Sequence, residues 1–356
     1  MAKKKIRKKL KLLRKKKKGG IAVLNKGVRY CAAVFAVFSL LVGVTGCVPS
    51  FPKEKLPEAV RSICKTEYNM DVDVTVKGKT MGIYYPMKGL LDAGLGVSSE
   101  AWDSISNLLL IASRVVLSTD ADIKFYCVIT QDARFPELQV VIIKYVEDVK
   151  RGMYRDISRD ESFKRTLFTI NLTPQAKKER SIEAVLESFG VGNETQQNVL
   201  EEFFRSPPTK LTDIGYWREK FYLKDITMEE FLAAQIANRM KLDFRREEDL
   251  LKLFKYETAE SDFVVSADGG KVFFVRFKIS DQIAEEERDL NLMKIEEIIK
   301  IANDVVYGYK FKKFDFLMLE DQLENAVLRI KEKDVFDFNK KRLAVKDIVE
   351  APAGYF

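Results

Sequence analysis

Histidine is absent from all 356 residues, and cysteine occurs only four times. The first absence removes His-dependent catalytic triads, His-ligated zinc and the side chain best suited to proton transfer near neutrality. The second removes a four-cysteine zinc site, because Cys31 and Cys47 belong to the N-terminal region described below and only Cys64 and Cys127 remain. A phosphate loop is also missing: Gly190-x-Gly192 and the glycines at 89, 94 and 96 lack the required spacing and strand context. Catalytic residues, cofactor sites and metal sites are therefore assigned to none of the chain.

Charge is unevenly placed. Residues 1–46 hold 14 Lys or Arg and no acid; taking those 14 from the total of 61 leaves 47 basic against 53 acidic side chains. The overall charge of +8 thus hides a body at −6. Such a body lacks the basic footprint that phosphate contacts require, so nucleic acid is not expected as a partner. RNA binding through the basic head (KKKIRKKLKLLRKKKK) is the reading that applies if the chain stays in the cytosol. Directly before an apolar run, that head fits better as a positive-inside anchor beside anionic lipid.

The apolar run is residues 31–47, CAAVFAVFSLLVGVTGC, closed by small residues in the manner of a secretion signal. Its last four residues, Val44-Thr45-Gly46-Cys47, resemble the box of bacterial lipoprotein signal peptides. The resemblance covers residues 1–47 alone. It implies cleavage between Gly46 and Cys47, lipid on the Cys47 thiol, and export of the body to a lipid-anchored position in the cell envelope. Residues 30–52 are free of charge and also long enough for one uncleaved span, although Pro49 and Pro52 shorten the plausible helix. Val48 is not the aspartate of an inner-membrane retention signal, which leans toward an outer membrane where one exists.

Domains are expected at 1–46 (signal), 47–57 (lipidated cysteine and proline-rich tether), 58–156 (first module), 157–245 (mostly helical connection) and 246–356 (second module). The two modules rest on an internal repeat. Adding 190 maps Ile111, Ala112, Val115 and Val116 onto Ile301, Ala302, Val305 and Val306. With one residue lost, Lys124, Phe125, Val128 and Asp132 meet Lys313, Phe314, Leu317 and Asp321; further on, Val141, Ile142, Asp148 and Val149 meet Val327, Leu328, Asp334 and Val335. Each copy reads as α-β-β-α-β-β, two helices on one face of an antiparallel sheet, an α+β fold. The hairpins turn at Lys77-Gly78 and Asp268-Gly269.

Several local expectations follow. Ser99 is expected to cap the second helix, and Asn193 with Gln196 to form a capping pair for a later one. Residues 181–204 read as an αα-hairpin rather than a DNA-reading pair, since the second helix carries Glu194, Glu201 and Glu202 against Arg205. Cys64 and Cys127 correspond to Phe254 and Phe316 and are expected as small core residues, with a disulfide as the alternative. Asp132 and Asp321 are expected to open turns, the sharper alternative being paired catalytic carboxylates. Asp148, Asp334, Lys124 and Lys313 are expected on solvated surface. Alternation is expected to turn Phe125, Cys127 and Ile129, like Phe314, Phe316 and Met318, toward the helices. Tyr84, Tyr85, Tyr126, Phe273 and Phe274 read as strand and core residues, or as a ligand-stacking face.

By function, the sequence favours a membrane-anchored envelope lipoprotein that binds or scaffolds without catalysis. Its partners are then membrane lipid through Cys47 and an envelope protein or polymer. The alternative is a carboxylate-dependent hydrolase of envelope glycans or peptides, marked by a cleft with two close carboxylates.

Overall fold

A computed structural model of the protein describes residues 51–92, 96–204, 208–282 and 289–349. Gly46 and Cys47, with the whole signal region, lie outside the described residues. Among those described, no helix is long and apolar enough to cross a membrane.

The chain enters at Phe51, whose N–H donates to Ser118 O at 3.2 Å and which bridges to Thr119. Residues 51–55 are therefore docked on the body, where the sequence suggested an extended tether; Phe51 packs on the first core, and Lys53 N–H donates to Asp120 at 2.7 Å. Helix α1 (Leu56–Tyr68) carries Pro57 in its first turn, where no N–H is needed, and buries Leu56, Val60 and Cys64. Strands β1 (Asp73–Lys77) and β2 (Thr80–Met87) form the expected hairpin. Helix α2 (Ser99–Leu117) buries Ile105, Leu108, Ile111, Ala112, Val115 and Val116, one stripe at helical spacing. Each Ile, Leu or Val side chain of the stripe contributes about 1.5–3 kcal/mol when fully buried. The cap is Ser98, whose side chain accepts from Ala101 N–H, one residue before the expected Ser99.

Strands β3 (Phe125–Asp132) and β4 (Phe135–Tyr145) follow, then α3 (Val146–Met153). After α4 (Arg159–Lys164), β5 (Leu167–Leu172) pairs with β4 as a fifth strand. Helices α5 (Pro174–Ser188) and α6 (Asn193–Phe203) make the αα-hairpin. Here Gly192, not Asn193, holds the cap position of α6; Asn193 is already helical, and the Gln196 amide donates to Val191 O at 2.8 Å. A small hairpin, β6 (Gly215–Trp217) and β7 (Lys220–Tyr222), leads into α7 (Met228–Arg246), which has a full capping box from Thr227 and Glu230.

The second copy starts with α8 (Glu248–Leu253), then β8 (Phe254–Val265), β9 (Lys271–Asp281), α9 (Leu290–Gly308), β10 (Phe316–Asp321), β11 (Ala326–Lys331) and α10 (Glu332–Asn339), with α11 (Val345–Val349) behind it. Its α9 buries Ile295, Ile298, Ile301, Ala302, Val305 and Val306. These stand 190 residues after the buried stripe of α2. Sheet orders are β1-β2-β3-β4-β5 and β8-β9-β10-β11. In both copies the outer pairs are antiparallel and the central pair is parallel, β2 with β3 and β9 with β10. The central pair corrects the purely antiparallel expectation: a helix separates the two hairpins, and a crossover of that kind returns the chain parallel.

Register refines the repeat. Val128 faces Ile142 and Leu317 faces Ile330, so Val140 and Ile142 stand level with Leu328 and Ile330, two residues on from the sequence match. Parity is unchanged, so the faces still agree. The first helix of the second copy is shorter than expected because β8 takes over at Phe254. Helix α7 fills the vacant place, packing Leu232, Ala233, Ile236, Met240 and Phe244 with α9 on the second sheet. Its Phe231 points the other way, into the back of the first sheet. Strand β5 and helix α7, both from the connecting segment, are thus built into the two copies.

The faces of β3 and β10 are reversed from expectation. Tyr126 and Val128 face α1 and α2, whereas Phe125, Cys127 and Ile129 face Ile214, Tyr216, Leu223, Ile226 and Phe231 on the back. In the second copy Leu317 and Leu319 are buried against the helices, while Phe316 and Met318 are half-buried on the other side; only Phe314, just before β10, joins the core as expected. The physical reason is that β3 is buried along both faces, so its alternation carries no direction. Cys64 and Cys127 are buried and free, one in each of the cores on opposite faces of the first sheet.

Candidate functional site: a cleft between two sheet edges

Asp132 and Asp321 are not brought together. Each opens a turn at the end of its own sheet: Asp132 Oδ1 accepts from Arg134 N–H at 2.8 Å, and Asp321 Oδ1 from Leu323 N–H at 2.9 Å. Both are buried and paired, Asp132 with Arg134 at 2.9 Å and Asp321 with Lys294 at 2.7 Å. Lys124 and Lys313 are exposed as expected, Lys124 bridging to Asp122 at 2.9 Å. The carboxyl of Asp122 is held down to about 2 by hydrogen bonds from Lys79 and Lys124.

Asp148 departs from its expected solvated place. It lies in α3, 4% exposed, accepting from Arg165 at 2.9 Å and from the Tyr309 hydroxyl at the end of α9. Arg165 also donates to Glu161 at 2.6 Å, and Glu161 accepts from Arg239 of α7. Burial works against the Arg165 charge, but its hydrogen bond to Glu161 and the nearby Tyr309 and Asp148 outweigh it and raise its pKa. Burial also pushes the Tyr309 hydroxyl up, so it remains a donor. Every charge in this cluster has a partner, and its members come from both copies and the connection between them. It is a clamp joining the copies, and a sequence reading misses it because Asp148 and Tyr309 lie far apart in the chain.

Among the aromatics considered for stacking, Tyr126 and Phe273 are core residues. Tyr84 is covered on the back of the first sheet by Tyr216, ring centroids 3.6 Å apart. Phe274 lies on the free face of the second sheet beneath the Arg276 guanidinium.

A cleft of about 390 Å³ between the two sheets has room for a ligand. Its walls are Leu167, Phe168 and Thr169 of β5 and residues 259–263 of β8; its floor is Ala233, Ala234, Ala237 and Asn238 of α7. Val141, Ile143 and Ile214 make the interior apolar, while Thr209, Lys210, Thr212 and Lys241 stand among its polar lining. This size and lining are those of an ordinary ligand pocket.

Side-chain hydrogen bonds tie the surrounding segments together. Gln139 holds both backbone groups of Tyr216, its amide donating to Tyr216 O and accepting from Tyr216 N–H at 3.1 Å. That approach needs Gly215 beside it, since a Cβ there would lie 2.9 Å from Gln139 Oε1. Gln235 and Asn238 of α7 donate to the carbonyls of Arg165 and Thr166 at the entry to β5, at 2.7 and 3.4 Å.

Three acids line the cleft, and each is neutralised. Glu230 pairs with Lys224; Asp262 accepts from Arg276 and pairs with Lys210 at 3.7 Å; Glu260 lies 3.8 Å from Arg276. Lys241 has no ion-pair partner among the described residues, and Ser261 Oγ is buried without a hydrogen-bond partner. Burial pushes the Tyr256 hydroxyl's pKa up, keeping it neutral. Among the described residues, no nucleophile–base pair faces the cleft. Among the described residues, no group of His, Cys, Asp and Glu suited to a metal ion occurs. The sequence reading missed this cleft; the run of small residues in α7, Ala233-Ala234 and Ala237, was the available sign.

The class that these features define is a tandem α+β protein whose two copies are fused through a shared helix, with a cleft along the seam. Comparison with protein-family models, with curated proteins and with solved structures found no match.

Proposed function

We propose that the protein is an exported lipoprotein, anchored through Cys47, whose body works by binding an envelope component in the cleft and not by catalysis. The observation that carries the binding reading is the cleft itself: an apolar interior, acids neutralised by neighbours, and, at Lys241, a cation without an ion pair among the described residues. Paired acids of this kind are poor candidates for the acid and base of a hydrolase, which need distinct and available carboxyl groups. The anchoring reading rests on the basic head, the apolar run and the Val44-Thr45-Gly46-Cys47 box.

If Cys47 carries lipid, the docked Phe51 gives the anchor a short reach. Four residue steps extend at most about 14 Å, so the body is held against the bilayer. Mass spectrometry of protein purified from its native envelope tests the anchor: a mature chain beginning at an acylated Cys47 is expected, and an intact Met1 or a free Cys47 thiol overturns it. Binding is tested by capture from detergent-solubilised envelopes. An envelope component retained by the intact lipidated protein but lost with Ala237→Trp, which fills the cleft floor, is the expected result. Equal capture by both forms removes the cleft from the reading.

A further inference from the structure

We infer that the cleft takes an extended peptide that adds to the free edge of β8, with an acidic side chain or a terminal carboxylate placed at Lys241. The inference deepens the binding reading and rests on it. Strand β8 pairs only with β9, and β5 only with β4, so among the described residues the two edges bordering the cleft have no strand partner on their cleft sides. A backbone edge inside a partly apolar cleft carries N–H and C=O groups that a bound chain satisfies by pairing, whereas an acyl chain would desolvate them without replacement.

The side chains agree with such an occupant. Ala234 and Ala237, both partly exposed, leave space above α7 for a backbone to lie close. Along β8, Ala259 and Phe263 turn toward the helix side and pack there, and Ser261 shares that side by alternation. Glu260 and Asp262 take the opposite side, where Arg276 holds them. A strand added beside β8 alternates in the same way, sending every second residue toward Val141, Ile143 and Ile214. The buried Ser261 Oγ offers a further hydrogen bond. Lys241, exposed on the last turns of α7 and without an ion pair, supplies the complementary charge.

The test uses the full chain in lipid nanodiscs and an N-terminally fluorescein-labelled hexapeptide of alternating threonine and valine with a free C-terminal carboxylate. Saturable anisotropy is expected, with slowed amide exchange over residues 258–263. Methylating alternate amides, which keeps the side chains but blocks pairing, is expected to weaken binding at least about tenfold, the equivalent of a net hydrogen bond or two. Amidating the carboxylate and Lys241→Glu should each weaken it several-fold, and the amidated peptide should not distinguish Lys241→Glu from the parent. Equal binding of the methylated peptide overturns the inference. Dodecanoate binding without hexapeptide binding overturns it while leaving the cleft as a ligand site. Protection of residues 258–263 in a dimer without peptide overturns it in favour of a second copy. If neither probe binds and Ala237→Trp leaves envelope capture unchanged, the inference and the binding reading fall together.

Discussion

At the far end of its third strand each copy places a buried aspartate that opens a turn, Asp132 in the first and Asp321 in the second, and the two copies neutralise it from different directions. In the first, the cation is Arg134 of the same turn, half-exposed. In the second it is Lys294 of α9, 2% exposed. Because the stripes of α2 and α9 match from Ile105 and Ile295 onward, Lys294 stands where the first copy has Ser104, and Leu323 where it has Arg134. The fold keeps the buried charge and lets its counter-charge migrate from loop to helix. A second contrast lies on the sheet backs. Val141 and Ile143 of the first copy are level with Arg329 and Lys331 of the second. The first back is covered by β6, β7 and α7; the second is open, with Arg329 lying over the Phe316 ring at 3.6 Å. Terminal units of repeat structures carry a polar outer face for the same reason.

Exchanging residues between the copies tests this contrast. The largest effect is expected from Ile143→Lys, which places an unpaired cation in the covered back and should cost about 3–5 kcal/mol in urea unfolding. The reciprocal Lys331→Ile, on the open face, should stay within about 0.5 kcal/mol. Similar costs for the two would mean that the backs are not in different environments.

Next comes the migrating counter-charge. Lys294→Ser strands the Asp321 carboxylate and should cost about 3 kcal/mol, since breaking a buried pair leaves an uncompensated charge. Adding Leu323→Arg rebuilds the arrangement of the first copy and should recover much of the loss. An additive double-mutant cycle would show that the two positions are not equivalent.

The smallest effect is on pH dependence. The Arg134 side chain, helped by backbone N–H groups, holds the Asp132 carboxyl well below the usual range against its burial. A depressed carboxylate contributes stability that is present above its unfolded value, about 3.9, and lost as pH falls through the lower folded value. Asp132→Asn should therefore flatten the acid side of the stability curve from about pH 5 downward, through the unfolded value and on toward the lower folded one. An unchanged slope would count against the Arg134 pairing.

These exchanges are possible because the repeat was readable in sequence. The stripe of α2 and α9 recurs at one offset, and the turn aspartates hold their places, since apolar periodicity and turn chemistry are local. The faces of β3 were not readable. A strand buried on both sides gives no alternation, and what buries its second side, Ile214 to Phe231, comes from nearly a hundred residues later. The parallel central pair was implied by the helix between hairpins but not drawn from it. The cleft was the least legible feature, since its walls belong to strands separated by some ninety residues and its floor to a helix that reads as connection.

The turn of the first hairpin has a consequence for how the chain is made. Gly78, at φ +58°, leaves no room for a Cβ beneath the Asp225 carboxylate, and Lys79 N–H donates to that carboxylate at 2.8 Å. Ile226 N–H donates to the buried Thr80 hydroxyl at 2.9 Å, and the Tyr216 hydroxyl to Asp73 at 2.7 Å. The earliest strands to emerge during synthesis thus wait for partners about 145 residues behind them. At roughly 5–20 residues per second, that is a delay of many seconds in which the first sheet is open along its back. The amino-terminal half therefore stays incomplete until the segment that closes its first sheet has left the ribosome.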